Sequence, residues 1–337
     1  MRIIEPSIEI MRTGMEVEVS AGHATPEKFI EAVGRTCYKS EDKITDTSAA
    51  KFVSNLVKRG HEAVIEHWSL IFQTDARTYE AIVFDWETLM HDGNVKTNNR
   101  LRPFLRFTVT MFEDGEIRCL VSGNMRAWRD FLKAYVAEYD QIPRYLHTLV
   151  RDYPIFFPEY QDHLPLAIVN DIFKPVSVRD LTSSERRIHQ DITVKFICDR
   201  GVSHEIVRHR VGSFAQESTR YCNYSQDKFD NGITVIRPSW CSKYSDIFKR
   251  WYEGCLMSEG AYFTLLSEGA TPQEARSVLP NSLKTEVIVT MNIDGWDHFF
   301  DLRCDPAAHP DIREVACMGR DALIMEGVWN FATPVAE

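Results

Sequence analysis

No two cysteines in this chain stand as a Cys-x-x-Cys pair, although there are eight of them. That excludes a zinc ribbon and a dithiol redox motif of the usual spacing. Their scatter, from Cys37 to Cys317, suits reduced and mostly buried thiols rather than a disulfide framework. No apolar run approaches the roughly 18 residues of a membrane span, and MRIIEPSIEI is too short and too charged for a signal peptide. A cytoplasmic protein with no membrane partner is expected. Gly-x-Gly-x-x-Gly is missing, and so is any strand–helix–strand alternation, which argues against a dinucleotide-binding parallel sheet. Basic excess is missing too. The net charge is −10 and the pI about 5.6, so a general nucleic-acid surface is not expected. A local basic pocket in an acidic chain fits a small anionic ligand better. There is no internal repeat and no low-complexity tract.

What is present reads as α+β, with helices packed on mostly antiparallel sheet. An opening strand is expected over residues 8–19. Thr25-Pro26-Glu27 starts a helix, with Thr as cap and Pro at the first helical position. A second helix runs from Ser48 to Arg59 and stops at Gly60. Leu70–Thr74 is a strand. Phe104–Phe112 and Glu116–Ser122 form a hairpin joined at Glu113-Asp114-Gly115. Helices follow over Asn124–Tyr139 and 140–152, then a Pro-rich connection over Tyr153–Pro165. Asp191–Cys198 and Gly232–Arg237 are strands, and Tyr244–Ser267 is a long amphipathic helix. Thr271-Pro272-Gln273-Glu274 is a capping box. Thr285–Asn292 is a strand, Asp294–Cys304 a helix, and Pro310 begins a last helix towards Trp329.

The stretch Arg208–Tyr221, RHRVGSFAQESTRY, carries the most chemistry. Arg208, His209 and Arg210 are followed, after seven residues, by Ser218, then Arg220 and Tyr221. Ser203 is read as the N-cap of a short helix before them. Guanidiniums, an imidazole and a hydroxyl gathered there make a receptor for phosphate oxygens. A second segment, Gly60-His61-Glu62-Ala63-Val64-Ile65-Glu66-His67, precedes the strand at Leu70. Taken alone it reads as an interhelix loop with polar tips.

Together with EARSVLP at Glu274–Pro280 and NIDGWDHFFDLR at Asn292–Arg303, these segments resemble the flavin-dependent thymidylate synthases, in the family's order. The resemblance covers roughly residues 25–76 and 191–325. It implies a thymidylate synthase-complementing fold plus an inserted α+β segment. The domains expected are a core of residues 1–76 and 191–337 and a folded insertion of unknown role at 77–190. Deletion of most of residues 90–185 is then expected to be tolerated. Within the insertion, Lys96–Arg102 is read as a solvated loop.

The activity implied is reductive methylation of dUMP to dTMP. Methylenetetrahydrofolate donates the one-carbon unit, and FAD reduced by NADPH supplies the hydride. The resemblance assigns the uracil-activating role to Arg303. It assigns dUMP contacts to Glu205, Arg208, Gln216, Glu217, Ser218, Thr219, Arg220, Arg276 and Arg303. FAD contacts fall to His67, Ser69, Arg208, His209, Arg210, Gln216, Asn292, Asp294 and His298. Arg276 is expected to come from a neighbouring subunit of a homotetramer. No metal is expected. The chain departs from some relatives at Glu205, Ala215, Asp294 and His298. A carboxylate repels phosphate, so Glu205 is expected to bond sugar hydroxyls or pair with an Arg. Cys222 is read as a small buried residue, not a nucleophile. Two other classes are weighed: a flavoprotein acting on another pyrimidine nucleotide, and a non-catalytic anion-binding or assembly protein.

Overall fold

The computed structural model describes residues 1–14, 25–91, 105–165 and 172–328. The expected loop Lys96–Arg102, the second half of the 8–19 strand, and Trp329 lie outside them. The chain divides into two compact units. The first comprises Met1–Thr13, Val33–Lys43 and Ile192–Glu337, and the second Gly14–Ala32 and Ile44–Asp191.

The first unit is built on a four-stranded sheet in the order Ser7–Arg12, Asp191–Asp199, Lys284–Asn292, Ser213–Gln216. Ser7–Arg12 runs antiparallel to Asp191–Asp199, and Lys284–Asn292 antiparallel to Ser213–Gln216. The middle strands are β-branched and apolar (DITVKFICD and KTEVIVTMN), as strands covered on both faces should be. Helices Ile293–Arg303 and Pro310–Met325 contribute Trp296, Phe299, Phe300, Ile312 and Val315 to one buried cluster with Phe196 and Val289 of the sheet. A short pair, Arg2–Ile4 with Thr234–Ile236, runs parallel. It shares a second core with the long helix Asp246–Ser267, around Tyr224, Ile233, Val235 and Tyr262.

The second unit carries a four-stranded antiparallel sheet in the order Leu105–Met111, Ile117–Asn124, Ser69–Thr74, Lys174–Pro175. The hairpin read from Glu113-Asp114-Gly115 is present, with Gly115 at φ +85°. The helix Met125–Tyr139 is capped by Asn124, whose side chain accepts from Ala127 N at 2.8 Å. Gly60 closes the Ser48–Lys58 helix at φ +69°, the left-handed conformation that only glycine takes without strain.

Several elements differ from the sequence reading. The single helix expected at 140–152 is a 3₁₀ turn, Arg144–Leu146, followed by a short helix, His147–Asp152. Asp140 ends the previous helix in a left-handed conformation and Pro143 bars its continuation. Helices Ala76–His91 and Ser183–His189 were not read from the sequence. The second is opened by a capping box between Thr182 and Glu185. The helix before Arg-His-Arg is Arg200–Ile206, and its cap is Asp199, not Ser203. Asp199 accepts from Val202 N at 2.7 Å, so the strand passes straight into the helix. Ser203 lies inside that helix and donates to Arg200 O.

His189 makes the second unit sensitive to acid. It is buried between Thr108 Oγ1 at 2.8 Å and Ser122 Oγ at 2.7 Å. Burial, then the nearby Arg106 cation, lowers its pKa from 6.5 to about 4. The unfolded chain therefore binds the extra proton first. Its contribution is complete above pH 6.5 and is lost as pH falls towards 4, by roughly 3 kcal/mol in all. The urea midpoint should fall over that window, and His189→Gln should flatten the fall. An equal slope in the variant would assign the acid sensitivity to another group.

Candidate functional site

The strand Asp191–Asp199 delivers the chain to the Arg200–Ile206 helix, and Arg208, His209 and Arg210 follow its last turn. Arg208 and Arg210 are exposed and His209 is buried. Gly212 lets the chain turn back into strand Ser213–Gln216: a Cβ there would lie 2.8 Å from Phe214 and 3.1 Å from Met291. His209 packs edge-on against Phe299 with ring centres 4.8 Å apart, and lies 6.0 Å from His298. Burial first, then the Arg303 and His298 charges, lowers its pKa to about 4, so it is neutral at physiological pH.

Arg303, in the last turn of Ile293–Arg303, joins this group. Its Nε donates to His209 Nε2 at 3.0 Å, Nη1 to Glu205 Oε2 at 2.8 Å, and Nη2 to Glu205 O at 3.0 Å. His209 accepts through Nε2, so its proton sits on Nδ1. Glu205 thus takes the second of its two expected roles, pairing with an Arg. Asn292 caps the same helix, accepting from Gly295 N at 3.0 Å, and Asp294 and His298 are exposed along it.

The Ser218 loop is held differently. Ser218 N donates to Cys37 O at 3.0 Å, Arg220 N to Ser218 Oγ at 3.4 Å, and Cys222 N to Ser218 O at 3.1 Å. Arg276 Nη1 donates to Thr219 Oγ1 at 3.2 Å within the same chain, which places Arg276 beside Ser218 and Arg220. Arg220 and Arg276 are exposed. Gln216 and Glu217, in contrast, are engaged by protein. Gln216 Nε2 donates to Ser203 Oγ at 2.9 Å and Thr285 Oγ1 at 3.2 Å. Glu217 is buried, and Lys284 Nζ donates to its Oε2 at 2.9 Å.

Beneath that loop lies a four-charge network the sequence reading missed. Lys284 also pairs with Glu286, and Lys39 reaches Glu286 at 2.7 Å. Burial raises the Glu217 pKa against the pull of Lys284. Burial works on Glu286 too, but its two lysines outweigh it and bring its pKa down to about 2. Lys39 adopts φ +46°, a conformation costly for a residue with a Cβ, at the end of the Pro26–Tyr38 helix. The one available signal was Lys284-Thr285-Glu286, whose alternation puts two opposite charges on one strand face. Lys284→Met should leave Glu217 without its partner and destabilise the protein by on the order of 3 kcal/mol. A melting curve reads this directly, and an unchanged midpoint would show the network to be dispensable.

Cys222 is buried, and its thiol is pushed up to about 12 by burial and then by Glu217. Such a group is inert as a nucleophile. All eight cysteines are free thiols. A cavity of about 280 Å³ borders Glu205, Asp199, Trp240, Trp251, His309 and Asp311. Its three carboxylates do not suit a phosphate, in contrast to the exposed arginines around Ser218. Among the described residues no group of three His, Cys, Asp or Glu side chains could hold a metal. No described helix is long and apolar enough to cross a membrane.

In the second unit, His67 closes the 3₁₀ turn Val64–His67 and is fully buried. Ser69 begins the next strand, and its hydroxyl donates to Asp191, which also pairs with Arg106 at 2.8 Å. Glu62 and Glu66 are ion-paired with Arg129 and Arg126.

The model of the family described as "Thymidylate synthase complementing protein" matches residues 19–78 and 187–323, more than half of the chain. The chain belongs to this family. Both Arg208–Tyr221 and Gly60–His67 fall inside the matched stretches, and residues 79–186 fall between them. The chain is 37% identical over 119 residues to a flavin-dependent thymidylate synthase of Pyrococcus horikoshii, covering 35% of this chain and 48% of that one. It is 38% identical over 117 residues to one of Geobacter sulfurreducens, covering 35% and 49%. The chain thus spans about half the length of the curated relatives it matches. A UMP/dUMP methylase, PolB from Streptomyces cacaoi, aligns at 22% identity over 41% of this chain and 67% of that one, with a TM-score of 0.34. That likeness is too slight to carry an argument.

Proposed function

We propose that this family member is a flavin-dependent thymidylate synthase, methylating dUMP to dTMP with methylenetetrahydrofolate as one-carbon donor and NADPH as reductant. One observation carries the reading. Arg303 reaches back from the last family segment to bond Glu205 and His209 in the Arg-His-Arg segment. Two stretches nearly a hundred residues apart are thereby joined into one polar group.

The donor set suits FAD. Arg208 and Arg210 are exposed arginines on either side of His209, and guanidinium forks suit a diphosphate. His209, Gln216, Asn292, Asp294 and His298 are assigned to FAD on the resemblance, Gln216 through its carbonyl oxygen, since its Nε2 is engaged by Ser203 and Thr285. His67 and Ser69 enter the proposal on the resemblance alone. When bound, the flavin supplies the hydride.

Ser218, Thr219, Arg220 and Arg276 are assigned to the dUMP phosphate, with Arg208 contributing. Glu217 holds the loop through Lys284. Arg303 is assigned to the uracil ring. That ring resists attack at C5 unless electron density is pushed into it, and a fixed cation beside O2 and N3 favours the ionised form. Arg303 spends three of its donors on Glu205 and His209, and a guanidinium has five N–H groups, so two remain for a ligand. Glu205 and neutral His209 fix the guanidinium plane before substrate arrives, so no reorganisation is needed at the moment of reaction. A homotetramer in the cytoplasm is part of the proposal.

The test is the visible absorption of the purified protein before and after dUMP and NADPH, followed by assay of dTMP with methylenetetrahydrofolate. A flavin spectrum that bleaches, with dTMP formed, supports the proposal. A colourless protein that takes up no added FAD would overturn it and favour an assembly role.

A further inference from the structure

We propose that Arg126 and Arg129 are positioning residues that set the geometry of the Gly60–His67 segment from outside the stretches shared with the family. This rests on the proposed flavin role of His67. Both arginines lie on the helix Met125–Tyr139, between the matched stretches 19–78 and 187–323.

The contacts run in register along one turn of that helix. Asn124 pairs with Ser69 across the sheet, and Met125 N donates to Trp68 O at 2.9 Å. Arg126 Nη1 then donates to Glu66 Oε1 at 2.5 Å. Arg129, one turn on, donates from Nε and Nη2 to Glu62 Oε1, each at 3.2 Å. As the helix advances from 124 to 129, the segment is read backwards from 69 to 62. Residues three apart share a helix face, so Arg126 and Arg129 present a matched pair of cations to the two glutamates. His67 lies between the backbone contact at Trp68 and the ion pair at Glu66.

The far ends of both arginines are anchored in the same block. Arg129 also donates to Phe156 O and to both oxygens of Glu159, at 2.7 and 3.3 Å. Arg126 Nε lies 3.5 Å from Asp130. Arg129 is 9% exposed and its partner Glu62 22%, and Arg126 is 24% exposed and its partner Glu66 14%. The pairs are partly buried, and each arginine is held by more than one contact, which restrains it more than a lone surface pair. Glu62 and Glu66 are occupied by these arginines, so in this chain the segment's carboxylates brace it rather than face a ligand.

The variants are Arg126→Gln, Arg126→Lys and Arg129→Met. Four quantities decide: the melting midpoint, hydrogen exchange of amides 61–68, FAD affinity by flavin fluorescence, and KM against kcat for dUMP. Arg126→Gln should keep a cooperative melt, speed exchange at 61–68 about tenfold, and weaken FAD about tenfold, with KM for dUMP unchanged. Arg126→Lys should restore part of both losses. If folded Arg126→Gln shows wild-type exchange and FAD affinity, the positioning role is refuted. Arg129 is the more buried, and if Arg129→Met does not fold, Arg126 still decides. Should the wild type bind no FAD, the functional proposal fails, and the exchange measurement separately judges the brace.

Discussion

Removing residues 90–185 is expected to leave a chain that cannot fold residues 44–76. Strand Ser69–Thr74 is central in its sheet, with Ile117–Asn124 on one side and Lys174–Pro175 on the other. Both neighbours belong to the deleted block. Their loss orphans the hydrogen-bonding groups on both edges of a buried strand. It also removes Leu120, Val121, Trp128, Phe131 and Phe173, all at or below 1% exposure. Trp128 and Phe173 are the rings that pack on Phe72. Each large core side chain contributes about 3–5 kcal/mol, so together they exceed the roughly 5–15 kcal/mol that holds a typical domain folded. The block is inserted in sequence, yet this strand depends on it. Circular dichroism and limited proteolysis of the deleted chain will decide. Resistant fragments covering 44–76 with a cooperative melt would show that the strand is supported without the block, as the sequence reading expects.

Arg303→Ala is expected to lower dTMP formation by about 10²–10³-fold, the usual loss when one preorganised electrostatic group is removed. FAD should stay bound, because Arg208 and Arg210 remain. Arg303→Lys should be nearly as poor. An ammonium is a point charge and cannot bond His209 and Glu205 at once in a fixed plane. Loss of Arg303 also removes one of the charges that hold His209 neutral, so the His209 pKa should rise. Steady-state turnover with a saturating flavin measures the first effect, and an NMR titration of His209 the second. Full turnover in Arg303→Ala would remove this residue from the reaction.

Local signals explain what was legible. Thr25-Pro26, Asn124, Gly60 and Thr271 mark element ends by their own chemistry, and the structure places an end beside each. The Ser203 reading failed because the helix starts earlier, with its cap four residues back at Asp199, and that start depends on how strand Asp191–Asp199 ends. Helix Ala76–His91 was missed since it follows a strand with only Asp75 between them. At the site, Arg-His-Arg, Ser218 and Arg303 were legible as residue types in a recognisable order. The pairing of Arg303 with Glu205 was left open, because spacing says nothing of which carboxylate meets which cation. Lys39 was invisible for the same reason: it meets its partner Glu286 247 positions away.

The brace on Gly60–His67 has a consequence for the order of events on the ribosome. The residues that hold His67 leave the tunnel long after His67 itself, and Lys174–Pro175 later still. At about 5–20 residues per second, the emerging segment waits several seconds before its arginines arrive. During that interval Leu70, Ile71 and Phe72 have no strand beside them, so the nascent chain carries an unpaired apolar strand until the block is made.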